Sequence, residues 1–282
     1  MRTWPRRRRL MILVALASVV AVLFALALRG GPSGQAESLP SAPASSPPPS
    51  PAAPGVEAVH PSAPPPVTHA VPGVRYTFDG GIAGQVQDGS GRLPLRVRKS
   101  GGELSTVPHG AGLAVRFPQR CEHYGAESCA RAILQSGPAE FLNPGQGAFT
   151  YGASVLVTPD ETSKGANVIQ KGFSVGDSQF KLQVDGAAGH PSCVIVGTAG
   201  PAIYVALASL TVADGRWHRV ECSRSDALLT VAVDGKLKGR SAIPSSLSIV
   251  NADPLCIGGK GTSANNDQFA GAIDDVFVTL PS

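Results

Sequence analysis

Asp214-Gly215-Arg216-Trp217-His218-Arg219-Val220, followed by Leu229-Thr230-Val231-Ala232-Val233-Asp234-Gly235, is the stretch whose reading decides the fold. The first segment is an Asp-Gly turn feeding a strand. The second alternates apolar with small or polar residues and ends in another Asp-Gly turn, so one of its faces is buried and the other wet. Strands of that kind belong to antiparallel sheets.

Similar runs extend outward from this stretch. Val74 to Asp79, Leu113 to Phe117, Ala132 to Leu134, Ala153 to Val157, Asn167 to Lys171, Phe180 to Val184 and Phe269 to Val278 are each short and bounded by Gly, Pro, Asn or Asp. From Gly73 onward no window of a dozen residues carries a helical apolar stripe. About a dozen strands in roughly 210 residues predict one domain, residues 73–282, built as a two-sheet antiparallel sandwich.

The preceding residues have other roles. Residues 1–29 pair five arginines, Arg2 and Arg6 to Arg9, with an apolar run from Leu10 to Leu28, which reads as a signal peptide or an uncleaved signal anchor. As an anchor, this hydrophobic helix would hold the chain in the membrane with its arginines inside. Both readings place the remainder outside the cytoplasm. Residues 30–72 hold 13 prolines among 43 residues and almost no large apolar side chains. They cannot bury enough surface to offset their ordering entropy and are expected to form a disordered, partly polyproline linker.

The formal charge of +4 argues for no nucleic-acid partner, because six of the 24 basic residues lie at or before Arg29 and the exported part is left at −2. Arg96, Arg98 and Lys99 form a small cluster that reads as a solvated strand edge. All five cysteines follow Gly73, in a compartment that permits disulfides. Cys121 and Cys129 enclose a short polar loop and Cys193 and Cys222 sit in strand-like runs, so those two pairings are expected, with Cys256 left over.

The order Asp-Gly-x-Trp-His-x-Val, Val233-Asp234-Gly235 and Phe269-Ala270-Gly271-Ala272-Ile273-Asp274-Asp275-Val276 resembles the laminin G-like branch of the concanavalin A-like lectin and glucanase sandwiches. The opening Tyr76-x-Phe78-Asp79 and Asp88-Gly89-Ser90-Gly91 extend the resemblance over nearly the whole foldable region. It implies a jelly-roll sandwich, a binding role, Trp217 as a core residue and His218 as a packed or hydrogen-bonded strand residue. It also implies a structural calcium where the first and last strands meet, with Asp79, Asp88, Asp274 and Asp275 as ligands. By strand alternation Asp274 shares a face with Val276 and Val278, and Asp275 with Ile273 and Phe277. Backbone amides and an arginine such as Arg75 or Arg116 are the alternative partners for these carboxylates.

Catalytic chemistry finds little support. A glycosidase needs two carboxyls flanking one bond, yet no glutamate after Gly73 has an acidic partner two residues away, and no Gly-x-Ser-x-Gly elbow occurs. His109, His123 and His190 read as solvated loop residues. Asn265-Asn266-Asp267-Gln268 concentrates hydrogen-bonding side chains on a loop, and Tyr124 lies between the first cysteine pair. Asn265, Asn266, Asp267 and Tyr124 are therefore the candidate ligand-binding residues, with an Asx-rich turn as the alternative. The function expected is a non-catalytic binding module for a glycan or cell-surface glycoconjugate. A protein-interaction module and a degenerate glycoside hydrolase are the competing classes.

Overall fold

A computed structural model describes residues 73–123 and 126–281; the expected signal segment, the linker and Tyr124 lie outside the described residues. In chain order the first strands are β1 Gly73–Tyr76, β2 Gln85–Val86, β3 Leu95–Ser100, β4 Ser105–His109, β5 Gly112–Phe117, β6 Arg131–Pro138, β7 Phe149–Leu156 and β8 Gly165–Gly172. They are followed by β9 Gln179–Asp185, β10 His190–Val196, β11 Ile203–Leu207, β12 Trp217–Ser225, β13 Leu228–Val233, β14 Lys236–Ala242, β15 Pro254–Ile257 and β16 Gly271–Thr279. The number exceeds the dozen expected because short or polar strands such as β2 and β4 carry no clean alternation. Helical structure among the described residues is confined to two three-residue 3₁₀ turns.

The strands form two antiparallel sheets. The first runs β14-β13-β12-β7-β16-β5-β4, with β1 also paired to β16; the second runs β11-β10-β9-β8-β15-β6-β3-β2. Each sheet turns an apolar face inward. Phe149 and Tyr151 of the first sheet meet Phe180 of the second with ring centroids 5.3 and 5.0 Å apart. Burying an aromatic ring there contributes about 2–3 kcal/mol, and the Tyr151 hydroxyl donates to the Lys181 carbonyl across the interior.

Both expected disulfides form: Cys121–Cys129 closes the loop between β5 and β6, and Cys193–Cys222 ties β10 to β12 and so links the two sheets. Cys256 is free and buried.

Two expectations are corrected here. Trp217 does not join the core: it is part-exposed and stacks on His109, ring centroids 3.9 Å apart. The residues of β12 that reach the interior are Val220 and Cys222, an even-numbered phase that turns Trp217 outward. The second correction concerns β16, where simple alternation breaks down. Asp274 pairs with Ser154 and Phe277 with Gly152, so three steps on β16 span two on β7. This bulge, with Asp275 at φ 48, switches the phase: Ile273, Val276 and Val278 all join the core, while Phe277 does not.

His218 is neither solvated nor part of the apolar core. Its two ring nitrogens lie 2.8 Å from Asp234 and 3.0 Å from Asp214, clamping the β12–β13 hairpin to the turn before it. Burial opposes charging of the ring, but the bonds to Asp234 and Asp214 outweigh it and raise the imidazole above its ordinary 6.5.

Replacing Cys193 and Cys222 by Ala removes a cross-link spanning 29 residues. The expected loss is about 3–4 kcal/mol of unfolding free energy. It is read from urea midpoints, and an unchanged midpoint contradicts the bridge. For His218, the raised value in the folded state means that its stabilisation is complete below 6.5 and fades as pH rises through the folded value. The difference in melting temperature between wild type and His218→Gln should therefore be largest in mild acid and shrink in alkali. A difference constant with pH would rule out the charged clamp.

Candidate functional sites

The bulge in β16 sets the chemistry on the outer face of the first sheet. Among the described residues, one group of three side chains has the donor types and spacing to hold a metal ion: His109, Asp274 and Asp275, whose donor atoms all lie within 4.8 Å of one another. His109, expected in a solvated loop, instead ends β4 and places Nδ1 2.5 Å from Asp274. Burial pushes the Asp274 carboxyl above its ordinary value, against the pull of His109. Asp275 is paired with the Arg75 guanidinium at 2.7 Å.

The other two expected calcium ligands are not among these three, although Asp79 lies near enough to His109 to feel its charge. Asp79 accepts the Leu113 amide at 3.0 Å. Asp88 accepts the Ser90 hydroxyl, the Ser90 amide at 2.8 Å and the Leu93 amide at 2.6 Å. Burial works against its charge, but these bonds outweigh it and keep the carboxyl below the usual range. The set does not match calcium, which takes six to eight oxygens. One of its three converging donors is an imidazole nitrogen, and Asp275 already has a fixed counter-charge.

The loop from Asn265 to Gln268 is largely occupied with holding itself in place. Asn266 is buried and donates to the Gly261 carbonyl and to Gln268. Gln268 staples the loop to β6, accepting from the Ala132 amide and donating to the Ala132 carbonyl. Asp267 pairs with Lys260 at 2.8 Å, while its backbone carbonyl accepts the Asn167 amide. Asn265 remains exposed, with φ 59. The loop meets the first disulfide around a cavity of about 20 Å³ lined by Cys121, Cys129, Arg131, Ser163, Asn265 and Asn266. That volume suits one water, and the buried Ser163 hydroxyl has no protein partner there.

Sequence reading missed the outer face of the second sheet. The register aligns Arg96, Gln135, Cys256, Gln170, Lys181, Val194 and Val205 in one row across β3, β6, β15, β8, β9, β10 and β11. Asn167, Gln183 and Ser192 stand side by side in an adjacent row. Several of these outward groups are sunk between their neighbours: Asn167 and Ser192 are fully buried, Gln170 is 4 % exposed and Cys256 5 %. Burial pushes the Cys256 thiol up to about 11, so it stays protonated at neutral pH.

Bonding on this face is incomplete. The Asn167 amide donates to Gln170, but its carbonyl oxygen is buried without a partner. Such a group costs about 1–3 kcal/mol unless something bonds it. Asp185 accepts from Gln183 and from the Ser192 hydroxyl. No outward strand position on this face carries Phe, Tyr or Trp among the described residues; Phe180 and Tyr204 point inward.

A carboxyl pair also escaped the sequence search, because it joins two loops rather than two positions on one strand. Asp177 and Asp253 are neighbours, and burial followed by Asp177 raises the Asp253 carboxyl. Nearby, Lys171 is buried and donates to Asn143 and Asn251, and burial pushes its amine down to about 8. The loops at this end of the sandwich expose Phe173, Val175 and Val250, the start of β11 exposes Ile203, and two clefts here share Gly197, Gly200 and Pro201.

Comparison with known proteins agrees with this architecture. Domain 4 of AbnA, an extracellular GH43 arabinanase of Geobacillus stearothermophilus solved with arabinotriose, superposes with TM-score 0.54 at 13% identity, over 74% of this chain and 91% of that one. The binding domain of Paraclostridial Mosquitocidal Protein 1 gives 0.54 at 15% identity, over 75% and 49% of the two chains. The binding domain of Botulinum neurotoxin DC, solved with rat synaptotagmin II, gives 0.54 at 12%, over 73% and 47%. The chain thus spans about half the length of both toxin chains, and at these identities the likeness shows the fold alone. No curated protein sequence matches the chain. A family model described as the concanavalin A-like lectin/glucanases superfamily, Laminin_G_3, matches residues 135–279, just over half of the chain, and the protein belongs to that family.

Proposed function

We propose that the chain is an exported, non-catalytic binding module whose outer face on the second sheet takes a glycan or the sugar part of a cell-surface glycoconjugate. The observation that carries this reading is the recessed set of side-chain amides, Gln135, Gln170 and Gln183, placed beside the fully buried Asn167 and Ser192. Sugars present rows of hydroxyls that both donate and accept, and side-chain amides answer both. Two similar structures were solved with sugar ligands, the arabinanase domain with arabinotriose and the binding domain of Botulinum neurotoxin DC with SialylT. Two disulfides accord with an oxidising, extracytoplasmic location. The exposed loop residue Asn265 would border this face as a contributor, with the buried Asn266 holding the loop, since Asp267 contacts β8 through its carbonyl.

A protein partner is the second reading, favoured by the apolar rim of Phe173, Val175, Ile203 and Val250. Glycan-array binding separates the two. The expected result is retention of a defined set of glycans by wild type, lost in Gln170→Ala and Gln183→Ala and retained in Val175→Ser. Loss confined to Val175→Ser, or binding to no glycan alongside capture of a cell-surface protein, would overturn the sugar reading.

A further inference from the structure

Resting on that reading of the second sheet, we infer that its ligand is an anionic glycan, bearing carboxylate or sulfate groups, that lies across the strands between Arg96 and Lys181. The residues from Gly73 onward carry eighteen basic and eighteen acidic side chains, so the domain has no general cationic bias. The distribution on this face is uneven. Arg96 and Arg98 project outward from β3, and Lys181 from β9, and none of the three makes a side-chain hydrogen bond or ion pair within the described residues. The acidic groups nearby are already engaged, Asp185 by Ser192 and Gln183 and Asp267 by Lys260.

The spacing suits an extended ligand. Arg96 and Lys181 occupy the same row, separated by Gln135, Cys256 and Gln170 on the three strands between them. Four strand spacings of about 4.8 Å put their backbones roughly 19 Å apart. The floor between them is neutral and hydrogen-bonding, because the Cys256 thiol and both glutamines carry no charge. Cations therefore stand at the two ends of an uncharged trough. A neutral sugar would leave both ends unused, whereas an oligosaccharide with acidic groups bonds the floor through its hydroxyls and the ends through its charges. Arginine at one end offers a planar pair of donors matched to carboxylate or sulfate.

The setting of Lys181 at the end of this row agrees with the same ligand. It is half-buried and burial lowers its pKa, with Asp267 and Asp185 only partly opposing this. A cation held in a recess without a direct partner is costly to folding. An incoming anion relieves that cost, so the site is built at the expense of the empty protein.

The test titrates the full chain with tetragalacturonate, with its fully methyl-esterified form, and with a sulfated galactan fragment, by calorimetry. Methylation removes the charges and leaves the sugar ring. The expected result is binding of an acidic form that weakens at least about tenfold on esterification, and a similar loss in Lys181→Met and Arg96→Gln. Affinity should also fall as sodium chloride rises from about 0.05 to about 0.5 M. Preference between tetragalacturonate and the sulfated fragment identifies which acid is read. Equal binding of the esterified and free forms, unaffected by Lys181→Met, overturns the anionic inference while leaving the glycan reading intact. Binding of none of the three, together with an empty glycan array, removes both.

Discussion

The pleat of the β-strand governs both faces of this molecule at once. Because side chains alternate, the register that sends Leu134, Ile257, Leu182 and Ile195 into the core must send Gln135, Cys256, Lys181 and Val194 outward. A one-residue slip in any of these strands would exchange apolar and polar sets and cost the whole buried face. The polar trough is therefore as firmly specified as the core, although none of its members contributes apolar packing. The Cys193–Cys222 link and the Phe149–Tyr151–Phe180 cluster hold the second sheet in that register against the first.

The two outer faces have resolved their polar groups differently. On the first sheet, Arg75 answers Asp275, His109 answers Asp274, and Arg219 stands over the Phe277 ring at 4.7 Å. At the junction of first and last strands the two carboxylates are thus matched by side chains of the protein. On the second sheet, matching is incomplete at Asn167, Lys181, Arg96 and Arg98. What directs attention to the second sheet is its row of neutral polar groups, Gln135, Cys256 and Gln170, standing between Arg96 and Lys181.

Most of the fold was legible in the sequence because periodicity and turn chemistry are local. The Asp-Gly turns, the alternating strands around Leu229 and Phe180 and both cysteine pairings are recovered as written. Errors arose where a tertiary event reset local phase. The bulge at Asp274 and Asp275 has no sequence mark beyond two adjacent acids, and it moved Val276 and Val278 into the core. Trp217 was read as packed on the strength of the family resemblance, although its position relative to Val220 already placed it outward. The site was less legible still. Arg96, Gln135, Cys256, Gln170 and Lys181 are scattered over 160 residues and meet only through pairing between strands distant in sequence. A search for short motifs therefore settled on the compact Asn265–Gln268 loop, whose side chains are spent largely on the loop itself.

The central claim is that the outer face of the second sheet binds the ligand. Nitrogen-15 NMR of the full chain, titrated with tetragalacturonate, tests it most directly, since glutamine and asparagine side-chain amides report as resolved pairs. The account predicts shifts in the side-chain signals of Gln135, Asn167, Gln170 and Gln183 and in the backbone amides of Cys256 and Lys181, with the Trp217 indole unmoved. Shifts centred on the Trp217 indole and His109, or confined to residues 261–268, would place the ligand elsewhere and contradict it.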